Sequence, residues 1–225
     1  SELYGSSIGA EALGGLVRQC TSTLIRELPS HQGIRILEVG AGTGGTTAHV
    51  LDHLPAERTE YVFSDVTSSL LRIAQEKLGQ HHFVDFQTLD ITADPETQGL
   101  SAGRYDVVLA ANVLHATPHL GNALSHVRRL LADQGTLILV EGTRRQRWLD
   151  LIFGLTDGWW AFEDVELRPD YPLLSVDQWR DLLNESGFDD VAIVGADHEH
   201  QFDQSVILAR ASETNDSVPS AGHWI

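Results

Sequence analysis

The stretch Ile34-Arg35-Ile36-Leu37-Glu38-Val39-Gly40-Ala41-Gly42-Thr43-Gly44-Gly45 decides the fold. A short apolar run meets a cluster of glycines, and a helical pattern from Gly45 to Leu54 follows, stopped by Pro55. Glycines at such a junction let the backbone approach a ligand closely, and the helix start offers free N–H groups. Gly40, Gly42 and Gly45 satisfy the G-x-G-x-x-G spacing of dinucleotide-binding folds. On its own that match is equally compatible with a tight strand-to-helix turn.

Working outward, strands and helices alternate. Tyr61 to Phe63 starts a second strand that closes at Asp65. Thr67 is placed to cap a helix carrying Leu70, Ala74 and Leu78, ended by Gly79. Phe83 to Leu89 reads as a third strand and Tyr105 to Ala110 as a buried central one. Pro118 sits where a first helical turn tolerates proline, ahead of Leu120, Ala123, Leu124, Val127 and Leu131 on one face. Thr136 to Val140 is the next strand. Ser175 to Gln178 forms a capping box opening a helix closed by Gly187, and Val191 to Val194 and Val206 to Ala209 complete the set. Such alternation predicts a doubly wound α/β sheet. Before the first strand, Ser1 to Ala12 is polar and Leu13 to Leu28 reads as a helix; Ser212 to Ile225 reads as a linker or frayed tail. Residues 1–211 are thus expected to form one catalytic core, with 1–33 as an N-terminal helical segment.

Composition bounds the function. The 225 residues carry 15 Lys and Arg against 32 Asp and Glu, a net charge of −17, with 42% hydrophobic residues. That fits one globular domain. So negative a chain repels phosphate backbones, which argues against nucleic acid and anionic membranes as partners. Cys20 is the only cysteine, so no internal disulfide and no cysteine zinc cluster can form, and a reducing, cytoplasmic setting is expected. No apolar run approaches bilayer length and no signal peptide opens the chain. There is no methionine, and both ends read like linkers, so a segment of a longer protein is expected.

Acidic residues identify the ligand that the glycine loop expects. Glu38 stands just before the loop, where a carboxylate repels pyrophosphate and attracts an ammonium or sulfonium. Asp65, followed by Val66, closes the second strand, placed to accept ribose hydroxyls. Asp90, followed by Ile91, closes the third, placed to accept an adenine amino proton. Read alone, Asp90 is equally a turn or cap residue. All lie at the carboxyl ends of strands, where ligands sit in such sheets. A ribose, an adenine and a positive centre without phosphate describe S-adenosylmethionine rather than a nicotinamide dinucleotide. Glu38, Gly40, Ala41, Gly42, Asp65, Val66, Asp90, Ile91 and Asn112 are the expected cofactor residues.

Two further residues are placed for chemistry. His115 follows the fourth strand in Asn112-Val113-Leu114-His115-Ala116-Thr117, and Glu141 follows the fifth. Neighbouring strands would set both on one rim beside the methyl donor. A histidine near neutrality serves as a general base, and a carboxylate orients it and stabilises its charged form. No metal is required: His198-Glu199-His200 and His81-His82 lack ligand spacing. After the fifth strand, Thr143 to Leu174 breaks the rhythm with Trp148, Phe153, Trp159, Trp160, Phe162 and Tyr171. So aromatic an insertion is expected to form a lid over a pocket, with Trp159 and Trp160 against the substrate. The plainer reading is a satellite hydrophobic cluster on the sheet.

These residues resemble the carbon-methyltransferase domains of polyketide synthases, from Tyr4 to about Arg210. The motifs are ILEVGAGTGGTT (Ile36 to Thr47), NVLHAT (Asn112 to Thr117) and the EGT…GLTDGWW…LRPDYPLLS stretch from Glu141 to Ser175. The resemblance implies a seven-stranded, Rossmann-like methyltransferase fold with an antiparallel last strand and helices on both faces. It implies a His–Glu dyad, falling on His115 and Glu141, and a substrate position at Tyr4. It implies methylation at the α-carbon of a β-ketoacyl chain held as a thioester on an acyl carrier protein, among neighbouring synthase domains, with S-adenosylhomocysteine released and no metal. Family members usually carry a longer N-terminal lid than this chain shows. Arg144, Arg145 and Arg147 are the expected local cations for an acidic carrier. The alternatives are an oxygen methyltransferase with His115 deprotonating a hydroxyl, an inactive methyltransferase-like scaffold, and, more distantly, a nicotinamide-dependent dehydrogenase.

Overall fold

The computed structural model describes residues 8–194 and 203–213. Seven strands form one sheet: β1 (Ile34–Val39), β2 (Thr59–Asp65), β3 (Val84–Thr88), β4 (Tyr105–Ala111), β5 (Leu131–Gly142), β6 (Phe188–Val194) and β7 (Gln204–Ala211). Their order is β3-β2-β1-β4-β5-β7-β6. Pairings are parallel from β3 through β5, and β7 runs antiparallel to both β5 and β6. The chain reverses direction across the sheet at β1, so the loops after β1 and β4 flank a switch point, where such sheets bind ligands.

Central strands buried on both faces read as apolar runs, and alternation sorts their side chains between two cores. Ile34 and Ile36 of β1 join Tyr61, Phe63, Val107 and Leu109 on one face, while Leu37 and Val39 join Val108, Ala110, Leu137 and Leu139 on the other. Helices α1 (Ile8–Glu27), α2 (Gly45–Val50) and α3 (Ser68–Leu78) cover the first face. Helices α4 (Leu120–Leu130) and α6 (Val176–Glu185) cover the second, burying Leu120, Ala123, Leu124, Val127, Trp179 and Leu183. The short α5 (Arg147–Ile152) lies in the insertion after β5.

Several local expectations hold and several shift. The Ser175 capping box is present, its hydroxyl accepting from Gln178 and the Gln178 side chain accepting from the Ser175 N–H. Helix α1 begins at Ile8, earlier than the polar composition of residues 1–12 suggests. Thr67 occupies the N-cap of α3 without capping through its side chain; its own N–H donates instead to Asp65 Oδ1 at 2.8 Å. Pro118 lies outside α4, which starts at Leu120 with His119 as N-cap. Ser212, expected in the linker, is tied to the domain: its N–H donates to the Gly187 carbonyl and its carbonyl accepts from Arg128. Tyr4, His198-Glu199-His200 and residues 214–225 lie outside the described residues.

Candidate active site

The parallel registers align the carboxyl ends of β1, β2, β4 and β5 on one rim. Gly40 (φ +61°) and Gly42 (φ +58°) hold the loop after β1 in the left-handed region that favours glycine. A Cβ on Gly40 would lie 2.3 Å from Val113 Cγ2, so the glycine loop packs directly on the loop that carries His115. A Cβ on Gly42 would meet nothing nearer than the Gly40 carbonyl at 4.0 Å, leaving the outer side of the loop open. The Ala41 N–H donates to the Ser64 carbonyl, tying the loop to β2.

Asp65 is buried, and each carboxylate oxygen accepts one backbone N–H: Oδ2 from Gly42 at 2.9 Å and Oδ1 from Thr67 at 2.8 Å. A carboxylate offers about four lone-pair sites. About two lone-pair sites therefore remain on Asp65. Val66 beside it is 62% exposed, an apolar surface available to a flat base.

Three of the expected cofactor residues make contacts within the protein. Glu38 is buried under α2. It is 1% exposed, and its Oε2 accepts hydrogen bonds from the Thr47 hydroxyl (2.5 Å) and the Tyr61 hydroxyl (2.6 Å). It sits on the same face of β1 as Ile34 and Ile36, and its carboxylate braces α2 and β2. Asp90 uses Oδ1 on the N–H and hydroxyl of Thr92, a local turn, with the remaining lone pairs left for an adenine. The Ile91 side chain is 4% exposed within the core, and its carbonyl accepts from His126 Nδ1, so it presents no side chain to a base.

Burial drives the Glu38 pKa up to about 7, against the lowering effect of the Thr47 and Tyr61 hydroxyls. An unfolded chain ionises this residue in the ordinary carboxylate range. Between that range and pH 7 the folded state binds the extra proton, so stability is full at low pH and falls as pH rises. Glu38→Gln is therefore expected to flatten the slope of unfolding free energy by up to about 1.4 kcal/mol per pH unit. Denaturant titrations from about pH 5.5 upward, clear of the isoelectric point near 4.8, check this.

The second half of the site is built from β4 and β5. Register pairs Ala111 with Val140, so Asn112, just past β4, lies level with Glu141, near the carboxyl end of β5. Asn112 takes φ +54°, donates its N–H to the Val140 carbonyl (2.7 Å) and accepts from Gln204 Nε2 at 2.8 Å. The turn Leu114–Ala116 folds back over β5. Glu141 is fully buried: Oε1 accepts the Leu114 N–H at 2.9 Å, and Oε2 lies 2.6 Å from His115 Nδ1. An ionised carboxylate only accepts, so Nδ1 carries the proton and Nε2 is the basic nitrogen. Burial alone would lower the His115 pKa; the charge and hydrogen bond of Glu141 outweigh it, with Arg168 opposing them, and the net shift is upward.

His115 and Asn112 line a cavity of about 450 Å³ whose remaining wall comes largely from the insertion, with Phe153, Trp159 and Leu173 among its residues. Trp159 meets the His115 ring edge-on at 5.7 Å and stacks on Phe153. Its indole N–H is buried without a hydrogen-bond partner among the described residues, as is that of Trp179 in the main core. Trp160 turns away: it is 43% exposed, donates to the Gly154 carbonyl and does not line this cavity. The insertion therefore both packs as a small hydrophobic cluster and roofs the cavity. Of the three expected surface cations, Arg145 is engaged, 4.6 Å over the Tyr171 ring and 3.6 Å from Asp150. Gln204 lines the cavity without having been expected there, and Tyr61 and Thr47 are the unexpected partners of the buried Glu38. The period-2 alternation of β1 and β2 signals Tyr61, which shares the face of Ile36 and Phe63; no comparable signal marks Gln204.

Among the described residues, no helix is long and apolar enough to cross a membrane. A family model described as a methyltransferase domain matches residues 37–137. The non-reducing polyketide synthase atr1 of Stereocaulon alpinum is 40% identical over 224 residues, 92% of this chain and 9% of that protein. The solved CurJ carbon methyltransferase superposes with a TM-score of 0.92 at 48% identity, covering 94% of this chain and 57% of that one. The trans-methyltransferase CalH, solved in complex with SAH, gives a TM-score of 0.75 at 34% identity, covering 89% of this chain and 55% of that one. The chain thus spans under a tenth of the synthase and a little over half of each of these solved chains.

Proposed function

Because this chain belongs to the carbon-methyltransferase domains of polyketide synthases, a group of S-adenosylmethionine-dependent methyltransferases with the seven-stranded class I fold, we propose that it methylates the α-carbon of a β-ketoacyl thioester held on an acyl carrier protein. The observation that carries the reading is the buried dyad: His115 Nδ1 lies 2.6 Å from a fully buried Glu141 carboxylate, at the mouth of an apolar cavity.

The residues on the β1–β3 side fit the cofactor. The loop Gly40-Ala41-Gly42 is open on its outer side at Gly42, Asp65 retains acceptors for the ribose hydroxyls, and Val66 offers the adenine an apolar face. When bound, S-adenosylmethionine supplies an electrophilic methyl group on a sulfonium. The protein's share is to make the acceptor nucleophilic. His115 Nε2 removes one α-proton from the β-ketoacyl chain, and the electron pair left behind forms the enolate. Glu141 holds the ring in the Nδ1–H tautomer and stabilises the imidazolium that results. Phe153, Trp159 and Leu173 exclude water from the cavity. Arg144, Arg145 and Arg147 are exposed and follow Glu141 in the chain, and serve as local cations for the acidic carrier.

Intact-protein mass spectrometry tests the reading. A β-ketoacyl carrier protein should gain one methyl in place of a proton when incubated with the enzyme and S-adenosylmethionine. The same carrier bearing no acyl chain should gain none. Binding of the cofactor without any methyl transfer to the acyl carrier would overturn the proposal in favour of a scaffold role.

A further inference from the structure

The insertion places a fully buried charged side chain beneath the catalytic loop. Arg168, from the Leu167-Arg168-Pro169-Asp170 segment, has a fully buried side chain, although nothing in the reaction as described uses it. Its guanidinium donates Nη1 to the His115 carbonyl at 2.8 Å, Nη2 to the Thr117 and Pro118 carbonyls at 2.8 and 3.0 Å, and Nε to Asp164 Oδ1 at 2.5 Å. The Phe162 ring lies 5.2 Å from the guanidinium carbon. The other oxygen of Asp164 accepts the Leu120 N–H that opens α4.

Burying a cation costs several kcal/mol unless it is paired and its donors are satisfied. A pair serving packing alone would direct the guanidinium fork at its carboxylate. Here one edge meets Asp164, and the rest is committed to three carbonyls within four residues of the loop that carries the imidazole. We propose that Arg168 is a positioning residue for methyl transfer, setting the His115 ring against Glu141 by gripping the carbonyls of His115, Thr117 and Pro118. The assignment rests on His115 acting as the base. It makes seating of the insertion and placement of the base one event, since the same backbone segment roofs the cavity and supplies the grip. Lysine cannot substitute, because one ammonium cannot span three carbonyls and a carboxylate with planar geometry.

The charged groups facing His115 are Glu141 from β5 and Arg168 from the insertion, the latter paired with Asp164. Removing the guanidinium therefore takes away a cation that opposes the imidazolium, and His115 should hold its proton to higher pH. The test compares Arg168→Lys, Arg168→Gln and the charge-neutral double variant Asp164→Asn/Arg168→Gln with wild type. Steady-state kinetics on a β-ketoacyl carrier protein, S-adenosylmethionine affinity and an NMR titration of the His115 imidazole are measured on each. Arg168→Lys is expected to lose roughly 10- to 100-fold in kcat, with cofactor affinity and KM little changed. Arg168→Gln should in addition move the His115 titration to higher pH, and the double variant carries the same readouts if either single variant fails to fold. Wild-type kcat in Arg168→Lys, or a His115 titration unmoved in every glutamine variant, would overturn the proposal. The titration needs no turnover, so it stands even if His115→Ala shows that another group is the base.

Discussion

His115→Ala is expected to bind S-adenosylmethionine with wild-type affinity and to lose methyl transfer by roughly 10²- to 10⁴-fold. The two halves of the site explain the split. In the proposed site the cofactor is held by the glycine loop after β1 and by Asp65 and Val66 at the end of β2, while the imidazole stands on the loop after β4. Cofactor affinity should survive because Val113, two residues before His115, is what packs against Gly40, and that contact is untouched. Turnover should not survive, because among the described residues His115 is the titratable side chain lining the cavity. Isothermal titration of the cofactor and single-turnover transfer, measured on one preparation, separate the two effects. The wild-type rate should rise with pH through an inflection above the ordinary imidazole value, because Glu141 holds the proton on and the base acts only once it is lost.

Glu141→Gln should cost a similar factor by a different route. The carboxylate is fully buried and binds both the Leu114 N–H and the His115 ring. An amide keeps an oxygen for one of these but cannot stabilise an imidazolium, and its NH₂ group competes for the position that the Nδ1–H occupies. With the opposing charge gone, burial dominates and the His115 pKa falls. The pH–rate inflection should therefore move down while the plateau drops. A lower plateau with an unmoved inflection would mean that Glu141 acts only as a brace for the turn. The isosteric exchange is chosen because alanine would leave the Leu114 N–H buried without a partner.

Much of this architecture is legible in the amino-acid sequence. The strand–glycine–helix junction, Asp65 at the end of β2, and the His115–Glu141 pair follow from one rule: residues at or near the carboxyl ends of adjacent parallel strands share a rim. Glu38 departs from that rule because a companion rule governs it. In a strand buried on both faces, its parity with Ile34 and Ile36 assigns it to the α2 face, beneath Thr47 and beside Tyr61, and away from the rim. Asp90 illustrates a local competition, since a carboxylate two residues before a threonine closes its own turn. Trp159 and Trp160 show how little composition says inside an irregular segment. The two are neighbours in sequence, yet one faces His115 and the other solvent. Arg168 has only the i, i+4 spacing to Asp164 to mark it, and a non-periodic, proline-containing stretch gives no face on which to place a side chain.

The most direct test of the central claim is the position of the new methyl group. A β-ketoacyl carrier protein is incubated with methyl-labelled S-adenosylmethionine, the acyl chain is released, and the labelled carbon is read by NMR. The account predicts a carbon-bound methyl coupled to a single α-proton, formed by wild type and absent with His115→Ala. A labelled methoxy group would contradict it and assign His115 to the deprotonation of a hydroxyl.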